Sequence, residues 1–394
     1  MNRLRTILPL GCLLLLQVAA MAQIMKQSDS SIYQNDRIIP VDKAGLLKNM
    51  DVIFNIQYAL NSNLQNGNYT GSNFALNQFR LEIKGQITDN VFFRFRDRYT
   101  RDPIPQTVDN TNHSVDMAFI QINLSRRWSV AFGKMSADYG GYEFEANPIY
   151  IYQYNDIIAH ADDFLVGAQG SLNISKDHSL TVQLLNARTE TFAEIYDTIP
   201  GVSAAKFPFA AVGNWRGSFA GGRFTTFWSY SVIKEAAHKY ISYLALGNQF
   251  HSKKWLIQYD LKYNPEGIDR TSVVTGIVPV SYSPYTALNT FYLEHWLHVS
   301  YAVKPKWSVT IIGMTSEAYW YGNPDPRKND HLRTSYGLIP TLEYYPLKRL
   351  NLKFFAAYVG RYYDYTGYAK SKFGSTNSTT GVFMIGFISP LVIL

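Results

Sequence analysis

Apolar and polar residues alternate along nearly the whole chain after its first fifty positions. In MDVIFNIQYAL (50–60), Val52, Phe54, Ile56, Tyr58 and Leu60 share one face. In FRLEIKGQI (79–87), Phe79, Leu81, Ile83 and Ile87 oppose Arg80, Glu82, Lys84 and Gln86. WLIQYDLKY (255–263) repeats the arrangement, with Trp255, Ile257, Tyr259, Leu261 and Tyr263 against Gln258, Asp260 and Lys262. A period of two puts successive side chains on opposite faces, so these segments read as strands with one oily and one polar side. Matches to that period predict sixteen strands between residues 50 and 388.

The connections sort the strands further. TDN (88–90), SRR (125–127), ISKDH (174–178), AGG (220–222), HSKK (251–254), KPK (304–306) and PLKR (346–349) are short and polar. Between them lie the longer segments 61–73, 100–114, 135–162, 188–206, 233–238, 264–286, 317–331 and 361–378, of which 233–238 is only moderate. Tight periplasmic turns alternating with long extracellular loops mark a transmembrane β-barrel. The predicted fold class is all-β, a sixteen-stranded antiparallel barrel in the outer membrane. A secreted β-sandwich also alternates, but its strands average about 5–6 residues. Several here run to nine or more, as a membrane strand needs.

Composition agrees. The 29 Tyr and 23 Phe favour strands over helices. Trp128, Trp255 and Trp307 follow short turns directly, and Tyr99 and Tyr263 end their strands, which predicts two interfacial girdles. The opening MNRLRTILPLGCLLLLQVAAMAQ has a basic start, an apolar run and a small-x-small site, the pattern of a secretory signal peptide over 1–22. Residues 23–50 then read as a periplasmic segment and 51–394 as the barrel. The single cysteine, Cys12, falls in the leader, so the exported chain uses no disulfide. A net charge of +7, with Arg3 and Arg5 in the leader, is too mild to argue a nucleic-acid partner.

The densest chemistry is FRFRDRYTR (93–101). Phe93 and Phe95 would face lipid, while Arg94, Arg96 and Arg98, with Arg80 and Lys84 on the neighbouring strand, would line an aqueous lumen. Asp97 and His295 fall on lipid faces, which requires either a bulge or a neighbouring subunit. The His-Ser neighbours NHS (112–114) and HSK (251–253) make no nucleophile–base pair, and GxSxG, HExxH, the phosphate-binding loop and GxGxxG are absent. HADD (160–163) fits solvated acids better than a divalent-cation site. The reading is no enzyme, no cofactor and no metal.

The hairpin FRLEIKGQITDNVFFRFRDRYTRD (79–102), with QINLSRRWSVAFGKM (121–135) and YGGYEFEANPIYIYQYND (139–156), resembles the phosphate-selective porin O and P family in its Bacteroidetes form. The resemblance implies a homotrimeric outer-membrane channel whose basic wall residues attract small anions, phosphate or polyphosphate among them. It also implies that the third loop folds inward, setting Asp138, Glu143, Glu145 and Asp156 against Arg94 and Arg96. A solvated external loop with ordinary acids is the alternative for those four residues. The chain ends in Leu394, where such barrels usually end in an aromatic residue, and Phe383 and Phe387 are the nearest aromatics. The expected function is passive diffusion of small hydrophilic anions. A weakly selective general porin, or a secreted β-domain for binding or adhesion, are the alternatives.

Overall fold

The structure, a computed structural model, describes residues 49–347 and 350–393. The predicted leader, most of the segment 23–50, and Leu394 lie outside the described residues. The strands are β1 (Met50–Gln65), β2 (Asn68–Thr88), β3 (Val91–Arg98), β4 (Val115–Asn123), β5 (Trp128–Ser136), β6 (Phe164–Asn173), β7 (His178–Asn186) and β8 (Ala204–Phe219). They continue as β9 (Phe224–Ala236), β10 (Lys239–His251), β11 (Trp255–Ile268), β12 (Leu288–Lys304), β13 (Trp307–Trp320), β14 (His331–Tyr344), β15 (Lys353–Tyr365) and β16 (Ser378–Val392). Each is antiparallel to its sequence neighbour, and β16 returns to pair with β1, closing the barrel.

The wall is uneven. Strands β3 to β7 have only 8–10 residues, the minimum for a tilted membrane strand, while all the others have 13 or more. Two expected external loops are tight turns. The segment 61–73 is instead a hairpin turning at Asn66 and Gly67, whose φ values of 49° and 80° suit the Asn-Gly pair. At 233–238 the chain turns at Ala237 and His238, with φ 59° at His238. The girdles form as predicted: Trp255 packs on Tyr301 at 4.5 Å and Trp307 on Tyr344 at 4.6 Å at one rim, and Tyr263 on Phe291 at 4.7 Å at the other.

The two misplaced polar residues resolve differently. A register shift separates Arg96 from Asp97 on the β3–β4 ladder, so Asp97 sits at a bulge. The β11–β12 register runs unbroken through His295, which stays on the outer face and bonds the Tyr259 hydroxyl at 2.8 Å.

The lumen is not wholly aqueous, contrary to the expectation from strand number. The third loop (137–163) and the helices Val273–Ile277 and Gly367–Phe373 fold in and pack Tyr139, Ile157, Val274 and Phe373 against Tyr292 and Trp320. Open space remains beside β3 to β8.

On β11, Asp260 and Lys262 are fully buried inward, while Trp255, Tyr259 and Tyr263 are exposed. Ile257→Arg therefore places a charge in lipid at a cost of ~2–4 kcal/mol near the midplane, whereas Gln258→Arg faces water. Loss of the heat-modifiable gel band in the first variant and its retention in the second is the expected result.

Candidate functional site: the basic wall and the inner loop

Opposite each other on β2 and β3 stand Arg80 and Arg98, Glu82 and Arg96, and Lys84 and Arg94. All six side chains point inward, because they occupy the polar phase of both strands. Like charges so close need a counter-charge, and Asp116 supplies it. Its carboxylate lies 3.1 Å from Arg96 Nε, 2.8 Å from Arg98 Nη2 and 3.5 Å from Arg80 Nε. Glu82 holds Arg94 at 2.9 Å and lies 3.8 Å from Lys84.

Asp116 reaches this position through an irregularity. Arg96 pairs with Met117 and Asp97 with Val115, leaving Asp116 as the extra residue of a β-bulge. Strict alternation from the outward-facing Ala118, Ile120 and Ile122 would turn residue 116 toward lipid. The bulge re-aims it into the lumen, where Asp116 and Met117 are both buried. Sequence periodicity missed Asp116 for this reason.

The third loop's acids fold inward but bind partners other than Arg94 and Arg96. Asp138 and Glu145 share Arg216 of β8, at 3.0 and 2.8 Å, and the Arg216 guanidinium stacks on Phe227. Glu143 is completely buried against Lys262, which also lies 3.4 Å from Glu294. Asp156 bonds Arg333 and, at 2.8 Å, Arg361. Backbone groups join in: Asp260 accepts from the N–H groups of Tyr142 and Glu143, each at 2.8 Å. Glu294 accepts from that of Ile157, also at 2.8 Å. At the far wall, Asn147 bonds Asn55 and Gln57 donates to the Ile149 carbonyl. The loop is thus tied to β1, β8, β11, β12, β14 and β15. Lys262 was read from sequence only as part of the polar face of its strand; Arg216, Glu294, Arg333 and Arg361 were not singled out, although each sits on an inward strand position that a fuller period-two accounting would have exposed.

Between this loop and the short wall lies a cavity of about 850 Å³. It runs from the turn residues Asp89, Asn90, Ser125 and Arg126 up to Tyr154, Asp163 and Phe164. Arg94 and Arg96 line one side, and Asp138, Glu145 and Arg216 another. Arg96 and Arg98 lie 5.0 and 6.0 Å from the centre of the Phe164 ring. Beyond it, Asp163 and Phe164 also line a second, smaller pocket with Arg101 and Lys134. Desolvation pushes the Asp163 carboxyl up to about 7, opposed by Arg98 and Arg101 and reinforced by Asp162 and Asp116. In the HADD segment, Asp162 pairs with Arg270 at 2.5 Å, and no cluster of metal-binding side chains occurs among the described residues.

A family model described as phosphate-selective porin O and P matches residues 50–387. No curated protein sequence matches the chain. Among solved structures, the outer membrane channel DcaP of Acinetobacter baumannii superposes with a TM-score of 0.59 at 12% identity, covering 93% of this chain and all of that one. Salmonella typhi OmpF, in complex with daunomycin, gives 0.51 at 14%, covering 86% and 97%. Vibrio cholerae OmpT, folded in vitro and in a trimer form, gives 0.50 at 10%, covering 86% and 99%. At these identities the likeness is one of fold.

Removing one member of a buried ion cluster strands its partners and typically costs ~3–5 kcal/mol. Lys262→Met should therefore loosen the third loop, seen as faster proteolysis within 137–163 and a lower temperature for loss of the folded gel band. Gln258→Met, on the same wall outside the cluster, should change neither.

Proposed function

The chain belongs to the phosphate-selective porin O and P family and is an outer-membrane porin channel; on that premise, we propose that it passes small hydrophilic anions in preference to cations. The observation that carries this reading is the β2–β3 wall, where Arg80, Lys84, Arg94, Arg96 and Arg98 gather around Glu82 and Asp116. Cations outnumber acids there, and residues two apart on a strand recur every ~6.8 Å, within the ~8 Å Debye length at physiological ionic strength. Their fields overlap, so an anion leaving one guanidinium is already attracted by the next. Asp138, Glu145 and Asp163 border the same cavity from the loop side and give the passage a transverse field. Glu143 and Asp156 serve a different purpose in this reading: buried in ion clusters, they fix the loop that narrows the passage.

A homotrimer fits the same picture. The wall is lowest at β3 to β7, and from Asn68 to Gln78 β2 pairs with β1 on one side but, among the described residues, has no strand on its β3 side. A second copy seated there would cover that edge, which is otherwise open to pairing.

Two measurements test the reading. Arg94 is the least buried of the wall's four ion-paired arginines, so Lys84→Gln with Arg94→Gln removes two charges without stranding Asp116, and Glu82 keeps Arg96 opposite it. The double variant should insert normally and lose much of its anion preference, read as reversal potential across a salt gradient and most visible at low salt. An unchanged reversal potential would assign selectivity elsewhere. Asp163 is neutral below about 7 and charged above it, so anion preference should fall as pH rises from 5.5 to 8.5. Asp163→Asn should hold the acid-side value throughout.

A further inference from the structure

The cavity's two walls differ in kind. From β4 to β7 two paired rungs of inward positions carry mostly amides and hydroxyls, of which Gln121, Asn123, Ser129, Gln169, Ser171 and Thr181 line the cavity. One rung runs Gln121, Ala131, Gln169 and Gln183, and the next runs Asn123, Ser129, Ser171 and Thr181, each residue directly opposite its neighbour on the adjoining strand. The amides are already oriented by one another: Gln121 donates to Asn123 at 3.1 Å, and Gln183 to Gln169 at 2.8 Å. Ser171 and Thr181 share a hydrogen bond at 3.2 Å. One strand step from the first rung, Arg94 stands opposite Phe119, and Phe144 of the third loop lines the same space.

An inorganic anion uses little of this. It needs cationic donors in a tight shell, not two rungs of neutral donor–acceptor groups, and about 850 Å³ is the volume of a site for an organic ligand. Amides and hydroxyls offer donor and acceptor together, which suits vicinal hydroxyl groups that need both. Phenyl rings pack against the apolar face of a sugar ring. Arg94, one rung away at ~6.8 Å along the strand, stands where a charged substituent on such a ring would fall.

We propose that this vestibule binds an anionic sugar, a hexose-sized ring bearing one phosphate, sulfate or carboxylate, with its charge on Arg94 and its hydroxyls on the rung of Gln121 and Gln169 and the rung beside it. The inference rests on the anion-channel reading and names the solute class for it. Binding is the event the wall selects, and the sugar then continues by diffusion, with no bond made or broken.

The test uses the purified full chain in planar bilayers, with glucose 6-phosphate as the probe and current block as the readout. Inorganic phosphate and glucose are the controls; glucose 6-sulfate and glucuronate show which charged group is preferred. Glucose 6-phosphate should block at a concentration about tenfold lower than either control, the gain expected when a few neutral hydrogen bonds add to the charge contact. Gln121→Leu with Gln169→Leu should erase that gain while leaving the reversal potential in a potassium chloride gradient at the wild-type value. If the double variant fails to give a heat-modifiable band, Gln121→Ala is read instead, with a smaller loss expected. Equal block by phosphate and glucose 6-phosphate, with block by the sulfate and glucuronate no stronger, or a sugar advantage that survives the substitutions, overturns the proposal. A wild-type channel without anion preference would overturn the reading beneath it, and the two failures are separately visible.

Discussion

Hydrocarbon offers a peptide group no hydrogen bond, so a sheet in the membrane must satisfy every donor and acceptor within itself. The rest of this molecule follows from that constraint. Closure of sixteen strands pairs the first with the last and sorts side chains by parity, oil outward and polar groups inward. Once parity sends Arg80, Arg94, Arg96 and Arg98 into a confined lumen, their mutual repulsion demands a counter-charge. The only way to bring Asp116 to them is to break the parity for one residue. Regularity creates the problem, and a single irregularity solves it.

The inner loop obeys the same logic at larger scale. A loop inside a barrel has backbone groups that the wall cannot satisfy through sheet pairing. Here inward carboxylates, Asp260 and Glu294, accept from its N–H groups, and inward cations hold its acids. Several of these contacts are fully buried, where a mispaired charge is expensive. Such clusters discriminate strongly between one loop placement and any other, so the aperture has a defined shape.

Most of the fold was legible because parity is a short-range property. Strand β6 and the start of β11 coincide with the alternation read from the chain, and the β11 faces are those it assigned. The errors share a cause. Asn66-Gly67 is a turn signal inside continuous alternation, and the alternation was interrupted too early there. Asp116 lies one residue out of phase, which periodicity takes for the wrong face. The basic wall was visible because its charges are local in sequence. Its counter-charge was hidden by the bulge, and the partners of Glu143 and Asp156 by distance, since Lys262 and Arg361 come from strands more than a hundred residues away and only closure brings them near.

The seam between β1 and β16 differs from every other junction in the wall. Fifteen junctions join neighbours in sequence and can zip from a turn or loop, with little chain entropy lost at each step. The sixteenth joins residues from opposite ends of the chain, so it must wait until β16 has been made and delivered. The third loop bonds both sides of that seam's neighbourhood, through Asn55 on β1 and Arg361 on β15. The connectivity therefore makes the seam, and the loop contacts that reach across it, the part of the wall that depends on the whole chain being present.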